Sequence, residues 1–95
     1  MTRKSFTANA LTGGQVRLTW ATALEQGSAA FVVERATNPK AGFNPVNEPV
    51  PGAGNSYESK FYEFIDHRTP TGTMYYRLRQ IDTDGQYYLS SVVAV

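Results

Sequence analysis

The stretch YYRLRQIDTDGQYYLS, residues 75–90, holds two runs of alternating side chains on either side of an Asp-Gly pair. Asp-Gly is favoured in the two-residue turn of a β-hairpin, so the pattern predicts a turn at Asp84-Gly85. The register that follows pairs Ile81 with Tyr88, Leu78 with Ser91, Tyr76 with Val93 and Met74 with Val95. The stretch therefore predicts two antiparallel strands that continue to Val95.

This register sorts the first strand of the hairpin into an inner and an outer face. Met74, Tyr76 and Leu78 share the inner face, and Arg77 and Arg79 share the outer one. A slip by one residue would bury both arginines, and burying unpaired charges is prohibitively unfavourable. The hydrophobic pattern thus specifies which face is the core.

The rest of the chain is predicted as short strands separated by turns. Six strands are expected over residues 5–10, 15–22, 30–36, 60–66, 74–81 and 86–95. Residues 43–50 contain two prolines and predict a short or irregular edge strand, because proline cannot donate to a ladder. Residues 23–28 are long enough for one helical turn, and 51–56 are expected to be a loop. About seven strands predict an all-β, antiparallel two-sheet sandwich of immunoglobulin-like size.

Composition limits the classes of function. Ninety-five residues indicate a single domain over 1–95. A net charge of +1, from scattered basic residues, argues against nucleic-acid binding. The absence of cysteine excludes disulfides, thiolate metal sites and cysteine nucleophiles. No apolar stretch of the kind found in a signal peptide follows residues 1–4, so a signal peptide is not expected. No apolar run approaches the roughly 20 residues that span a bilayer, so membrane insertion is not expected.

An acidic pair in the hairpin, Asp82 and Asp84, raises the alternative of a calcium site. An EF-hand loop needs about five oxygen-bearing positions and a distal bidentate glutamate. Here Gln86 follows, and then two tyrosines. The pattern therefore favours a plain turn, and no metal or cofactor is predicted.

No candidate catalytic constellation survives inspection. His67 is the one histidine, and its neighbour Asp66 would point to the opposite face of a strand; Asp66 is expected to accept N–H groups of the following loop instead. Residues 52–56 resemble a phosphate loop in composition but lead into a strand rather than a helix. Glu25 has no second acid in a predicted cleft. No catalytic residue is assigned.

Four side chains form a candidate partner surface: Tyr75, Arg77, Tyr87 and Tyr88. Exposed tyrosines suit sugar stacking and protein contacts. The alternative is a solvated sheet face on which Arg77 lies over an aromatic ring. Both interpretations remain open at this point.

Several parts of the sequence resemble one known family. Trp20 lies late on the second predicted strand, Phe31-x-Val33 lies on the third, and Tyr76 follows a Pro-x-Gly loop, as in fibronectin type III domains. The strings VRLTWATALEQ, FVVERA, GAGNS and YEFIDHRTPTGTMYYRLRQIDTDGQYYLSSVVAV resemble a module of secreted Bacteroidota proteins that often precedes a type IX secretion sorting domain. The resemblance covers residues 6–95. At 36–39 the chain has Ala-Thr-Asn-Pro, where the family often has Ser-x-Asp-Gly.

The resemblance implies a non-catalytic structural spacer or interaction module of a larger secreted or cell-surface protein. Its expected partners are neighbouring domains of that protein, a polysaccharide or another surface protein. A carbohydrate-binding module is the alternative. Tyr76 would occupy the tyrosine-corner position, with its hydroxyl bonded to backbone in the loop at 67–72.

Two further expectations follow from the fibronectin-type arrangement. Trp20 should anchor the core beside Phe31, Val33, Tyr76 and Leu78. The third and sixth strands should be neighbours, which would place the outward-facing carboxylate of Glu34 opposite Arg77 or Arg79 as an exposed pair.

Overall fold

The computed structural model describes residues 2–40, 42–67 and 72–95, with side chains from Ser5 onward. Every regular element of this part of the chain is a β-strand, and all pairs are antiparallel. The strands are β1 (Thr2–Ala10), β2 (Val16–Ala36), β3 (Asn44–Pro45), β4 (Val50–Ser56), β5 (Lys60–Asp66), β6 (Tyr75–Asp82), β7 (Tyr87–Leu89) and β8 (Val93–Ala94). The predicted all-β, antiparallel class is confirmed.

Strand β2 organises the whole sheet. Its first half pairs with β1 on one side and with β5 on the other. Its second half pairs with β6 on one side and with β3 and β4 on the other. Strands β7 and β8 pair with β6. Eight strands therefore form one sheet that curls through β2, where two separate sheets had been predicted.

The prediction of a connection at 23–28 with room for a helical turn is wrong, because β2 runs unbroken for 21 residues. Residues of this segment pair with strands on both sides: Leu24 with Thr2 of β1, and Glu25 with Ser56 of β4. Gly27 adopts φ +65° at a shift in the β4 register, which only glycine does at low cost. The local preference for a turn is overridden by partners far away in sequence.

Residues 51–56, expected to be a loop, belong to β4. The glycine content that suggested flexibility serves a close approach instead. A Cβ atom on Gly52 would lie within van der Waals overlap of Ser28 on β2, only 2.7 Å from its carbonyl oxygen. Glycine is thus required where two strands meet. The prediction for 43–50 is confirmed, since this region holds only the two-residue β3 and the start of β4.

The core lies where the inner faces of the curled sheet meet. Its buried members are Val16, Leu18, Trp20, Phe31, Val33, Met74, Tyr76 and Leu78. Trp20 is 2% exposed and stacks on Tyr62, with ring centroids 5.7 Å apart and planes 12° apart. Phe31 packs against the same two rings. The predicted role of Trp20 as core anchor and the inward side of β6 are both confirmed.

The hairpin of β6 follows the predicted register far from its turn. Tyr76 is opposite Val93, and Met74 exchanges both backbone hydrogen bonds with Val95, at 3.0 and 2.9 Å. Near the turn the prediction is wrong by one residue: Ile81 pairs with Tyr87 rather than Tyr88.

The turn explains the difference. The N–H of Asp82 donates to the carbonyl of Gln86 at 2.8 Å, so the loop holds three residues rather than two. The N–H of Gly85 donates to the carbonyl of Asp82 at 3.0 Å, and Gly85 has φ +88°. This is a type I turn followed by a left-handed glycine.

The register returns to the predicted one beyond Ser90. The N–H of Leu78 donates to the Ser90 hydroxyl at 2.8 Å, so a side chain replaces a carbonyl in the ladder. One extra residue is accommodated between Ser90 and Val93, which breaks the predicted last strand into β7 and β8.

Candidate functional site

The outer face of β6 carries three of the four residues predicted as a partner surface. Tyr75 and Arg77 alternate along β6, and Tyr87 reaches the same face opposite Ile81. Tyr88 is opposite Gln80, whose side chain is buried on the inner side, so Tyr88 lies on the other face. The three-residue turn therefore separates Tyr88 from the other three residues.

Glu34 of β2 is the acidic partner of this face. It pairs in register with Arg77, and its Oε1 lies 2.7 Å from Arg77 Nε. Its Oε2 lies 3.6 Å from Arg79 Nη1. The predicted juxtaposition of the third and sixth strands through these charges is confirmed.

The exposure predicted for this ion pair is wrong. The Glu34 side chain is only 4% exposed, against 27% for Arg77 and 39% for Arg79. Long arginine stems lie across apolar surface while their heads stay near water, and here they cover the carboxylate between them. Val32, two residues before Glu34 and on the same side of β2, is also buried.

Two aromatic rings extend the row of charges at both ends. The guanidinium carbon of Arg77 lies 4.3 Å from the centroid of the Phe43 ring, and that of Arg79 lies 5.1 Å from the Tyr87 ring. We call the row Phe43, Arg77, Glu34, Arg79 and Tyr87 the Arg–Glu ladder. The expectation that Arg77 lies over a ring is confirmed. Phe43 was missed because it precedes β3 in an irregular segment with no periodicity.

The ladder carries two positive charges and one negative charge, and Glu34 contacts both arginines. Each guanidinium is engaged by a carboxylate oxygen and by a ring face. The arrangement suits a stiff, partly neutralised surface, because both guanidinium groups already interact with the Glu34 carboxylate, although Arg79 Nε is buried without a hydrogen-bond partner.

A second acidic group, Asp66 at the end of β5, joins distant parts of the sheet. Its Oδ2 accepts hydrogen bonds from Arg35 Nη1 and from the Tyr76 hydroxyl, each at 2.7 Å, and the residue is 5% exposed. The Tyr76 hydroxyl was expected to bond to backbone of the 67–72 loop. It donates to the side chain of Asp66 instead. Residues 68–71 of that loop, which were expected to donate to Asp66, lie outside the described residues. Burial raises the pKa of Tyr76, and the bond to the carboxylate raises it further.

A third acidic group, Glu25, is 1% exposed. It lies in residues 23–28 of β2, where the pairing partners of the strand change, and we call this part the bend of β2. Its Oε2 accepts from the hydroxyls of Tyr62 at 2.6 Å and Thr22 at 2.8 Å, and its Oε1 accepts from the N–H of Ala53 at 2.9 Å. These bonds connect β4 and β5 to the bend.

The electrostatics of the Glu25 site follow from its donors. Burial raises the pKa of Glu25, but the bonds from Tyr62, Ala53 and Thr22 together outweigh it and leave the pKa below its ordinary value. Burial and the Glu25 contact raise the pKa of Tyr62 in turn. This site was not predicted, because two of the groups that donate to Glu25 lie 28 and 37 residues away and leave no local pattern in the sequence.

The residues examined for catalysis and metal binding remain scattered. His67 is exposed next to the buried Asp66, and the glycine-rich stretch is part of β4. Asp84 Oδ1 accepts the N–H of Gln86 at 2.9 Å, as an Asx turn does. Among the described residues no group of three His, Cys, Asp or Glu side chains could hold a metal ion. The same part of the chain contains no helix long and apolar enough to cross a membrane.

Fold and site together define an antiparallel all-β domain whose three buried acidic side chains are held by ion pairs and hydrogen bonds. In comparisons with known proteins, no protein-family model and no curated protein sequence matches this chain.

Proposed function

We propose that this domain is a non-catalytic structural spacer or protein-interaction module of a larger secreted or cell-surface protein. In this proposal the two halves of the curled sheet correspond to the two sheets of a fibronectin type III-like sandwich. The family it would belong to is the Bacteroidota module that the sequence resembles. Neighbouring domains of the same protein would be its first partners.

The observation that carries the spacer proposal is the position of the two chain ends. Strand β1 begins opposite Leu24, at the end of the domain that holds the bend of β2. The last strand, β8, pairs with Tyr75 and Tyr76, and Tyr76 bonds to Asp66 at the far end of β5. The first described strand thus begins, and the last ends, at opposite ends of the sheet, in a body whose longest dimension is 39 Å. Such a domain holds whatever precedes and follows it apart.

The buried acidic groups support a rigid spacer. Glu25, Glu34 and Asp66 each join residues from strands distant in sequence, and each lies beneath the surface. Charge-assisted hydrogen bonds are about twice as strong as neutral ones, and breaking a buried pair is costly. Deforming the sheet would break several of them, so the length of the domain resists change.

The experiment is small-angle X-ray scattering on one copy and on a direct tandem of two copies. An end-to-end spacer should lengthen the particle by about one domain, that is by 39 Å. The matched control is a tandem with a Gly/Ser linker, which should give a broader distance distribution. A direct tandem that folds back to nearly the maximum dimension of one copy contradicts the proposal.

A carbohydrate-binding module is the second candidate, and one observation favours it. Tyr87 is 57% exposed beside Arg79, with Tyr75 and Arg77 on the same face. Against it, the arginines are engaged within the Arg–Glu ladder, and Tyr88 lies on the other side of the sheet.

Pull-down on insoluble polysaccharides and a glycan array separate the two candidates. Binding that Tyr87→Ala abolishes would support sugar recognition at the ladder. The control is Tyr57→Ala, because Tyr57 is 86% exposed and lies outside the ladder. If the domain is a spacer, the wild-type protein, Tyr87→Ala and Tyr57→Ala should all fail to bind the polysaccharides.

A further inference from the structure

The outer edge of β5 differs from the other edges of the sheet. All seven of its residues pair with β2 in one unbroken register, and among the described residues β5 pairs with no other strand. The pairings of β1 and β4 with β2 contain register shifts, and β4 also contains Pro51. Strands β3 and β7 have two and three residues. Bulges, proline and short length blunt an edge, and β5 has none of these protections.

An exposed aromatic side chain stands on this edge strand. Phe61 is 77% exposed on the outer face, opposite the small Ala21 of β2. Beside its ring lies a shallow depression of about 320 Å³, lined also by Ser5, Thr19 and Glu63. A ring this exposed beside an open strand edge is typical of a surface that another strand covers.

We propose that β5 pairs with β5 of a second copy of this chain, antiparallel about a two-fold axis at Glu63. Two three-stranded parts, each made of β1, β2 and β5, then form one continuous six-stranded sheet. Backbone N–H and C=O groups that point away from β2 along the two β5 strands would face one another in the dimer.

The sequence of β5 selects this register. A two-fold axis at Glu63 pairs all seven residues of the strand, whereas an axis at Tyr62 or Phe64 pairs only five. It places Phe61 opposite Ile65 of the second copy, twice, on the outer face. Aromatic and β-branched side chains are a favourable cross-strand pair.

The charges at the ends of the strand do not oppose a second copy. Lys60 is opposite Asp66 of the second strand, whose buried carboxylate is already neutralised by Arg35 of its own copy. The two Glu63 side chains meet at the axis, and like charges oppose pairing there. Each Glu63 has its own cation, since Arg17 Nε lies 3.5 Å from Glu63 Oε2. The interface between the two β5 strands therefore has two Glu63 side chains at its centre, each paired with Arg17 of its own copy, and a Phe61–Ile65 pair on either side.

The chain contains no cysteine, so single cysteines can read the register directly. Glu63→Cys should form a disulfide-linked dimer under mild oxidation, because the axis sets the two sulfurs opposite one another. Phe61→Cys and Ile65→Cys should cross-link when mixed but not alone. Identical positions there are four residues out of step, about 13 Å, beyond the roughly 7 Å limit for Cα atoms of a disulfide. Asn9→Cys, exposed on β1, is the matched control and should stay monomeric.

Sedimentation equilibrium tests the association without a covalent bond. Phe61→Ser should weaken the dimer by about twofold to thirtyfold, through loss of two apolar cross-strand pairs. Glu63→Gln should tighten it, because the central repulsion disappears. Tyr57→Ser removes an equally exposed aromatic outside β5 and should leave the association unchanged.

Three outcomes would overturn the proposal. One is a wild-type chain that stays monomeric at millimolar concentration while Glu63→Cys fails to cross-link. Another is Phe61→Cys cross-linking alone as fast as in the mixture, which would contradict the register. The third is an equal loss of association in Tyr57→Ser and Phe61→Ser, which would show general stickiness rather than strand pairing. Unchanged melting curves of the variants ensure that the comparison is between folded proteins.

Discussion

Replacing Glu25 by glutamine should destabilise the domain although shape and size are conserved. The carboxylate accepts three hydrogen bonds, from the hydroxyls of Tyr62 and Thr22 and from the N–H of Ala53. A glutamine amide has one accepting end and one donating end. Whichever way it turns, its NH₂ group faces donors that previously had an acceptor.

The magnitude follows from the number of bonds affected. A hydrogen bond to a charged group contributes about 1.5–3 kcal/mol, and a neutral one about 0.5–1.5 kcal/mol. Weakening or reversing three bonds by about 1 kcal/mol each gives a loss of about 2–4 kcal/mol. That is a large share of the roughly 5–15 kcal/mol that holds a domain of this kind together.

The pH dependence distinguishes this cause from simple misfit. The pKa of Glu25 in the folded state is lowered from its ordinary value of 4.5. The stability that its charge contributes is therefore present above about pH 4.5 and is lost as the pH falls through the folded-state value. The gap between wild type and Glu25→Gln should be constant near neutral pH and should close in acid.

Urea denaturation followed by fluorescence measures this gap. Trp20 is the one tryptophan of the chain and is 2% exposed, so its emission reports unfolding. Glu58→Gln is the control, because that side chain is 87% exposed and should change stability by less than about 0.5 kcal/mol. The reasoning is refuted if Glu25→Gln costs no more than the control at pH 7, or if its cost is the same at pH 3.

Three further predictions concern the core and the other two acids. Trp20→Ala should lower the free energy of unfolding by about 3–5 kcal/mol in urea or thermal unfolding followed by far-UV circular dichroism, and a loss below about 1 kcal/mol contradicts its role as anchor. Tyr76→Phe should cost about 1–3 kcal/mol, because Asp66 loses a donor. Since the folded-state pKa of Tyr76 is raised above its usual value near 10, the free energy of unfolding should fall as the pH rises above about 10. Absorbance near 295 nm should show this tyrosine ionising only as the protein unfolds. Ionisation of Tyr76 in the folded protein would contradict its burial. A double-mutant cycle with Glu34→Gln and Arg77→Gln should give a coupling above the roughly 0.2–1 kcal/mol of exposed pairs, because Glu34 is covered; zero coupling would argue against the 2.7 Å contact.

Local alternation of side chains was enough to predict the faces of β6. The period of two is a property of any extended strand, so Tyr76 and Leu78 could be placed inside and Arg77 outside from the sequence. The core role of Trp20 and the contact of Glu34 with Arg77 were expected from the resemblance to fibronectin type III domains instead, because the contact joins strands 43 residues apart. The two faces of β6 depend on short-range order along the chain, and short-range order is visible in one sequence.

The tertiary structure decided whatever depends on partners far apart in sequence. Residues 23–28 of β2 stay in strand conformation because they pair with β1 and β4 and because Ala53 donates to Glu25. All of these partners come from distant segments of the chain. A glycine-rich stretch forms β4, and glycine is needed at position 52 because the backbone passes close to Ser28 there. The burial of Glu34 depends on how two arginine side chains fold over it, which their positions in the strand do not specify.

The turn of the β6 hairpin shows the boundary between the two kinds of information. Asp84-Gly85 marks a turn in the sequence, but two-residue and three-residue loops both use glycine there. The choice shifts the register by one residue and decides whether Tyr87 or Tyr88 joins the outer face. That choice follows from the pairing of the whole strand, in which Asp82 bonds to Gln86 and an extra residue after Ser90 restores the packing of Val93 against the core. The sequence by itself thus determined that a hairpin forms and which side of β6 is buried, whereas the tertiary structure decided the exact partners, because a register is settled by the sum of contacts along both strands.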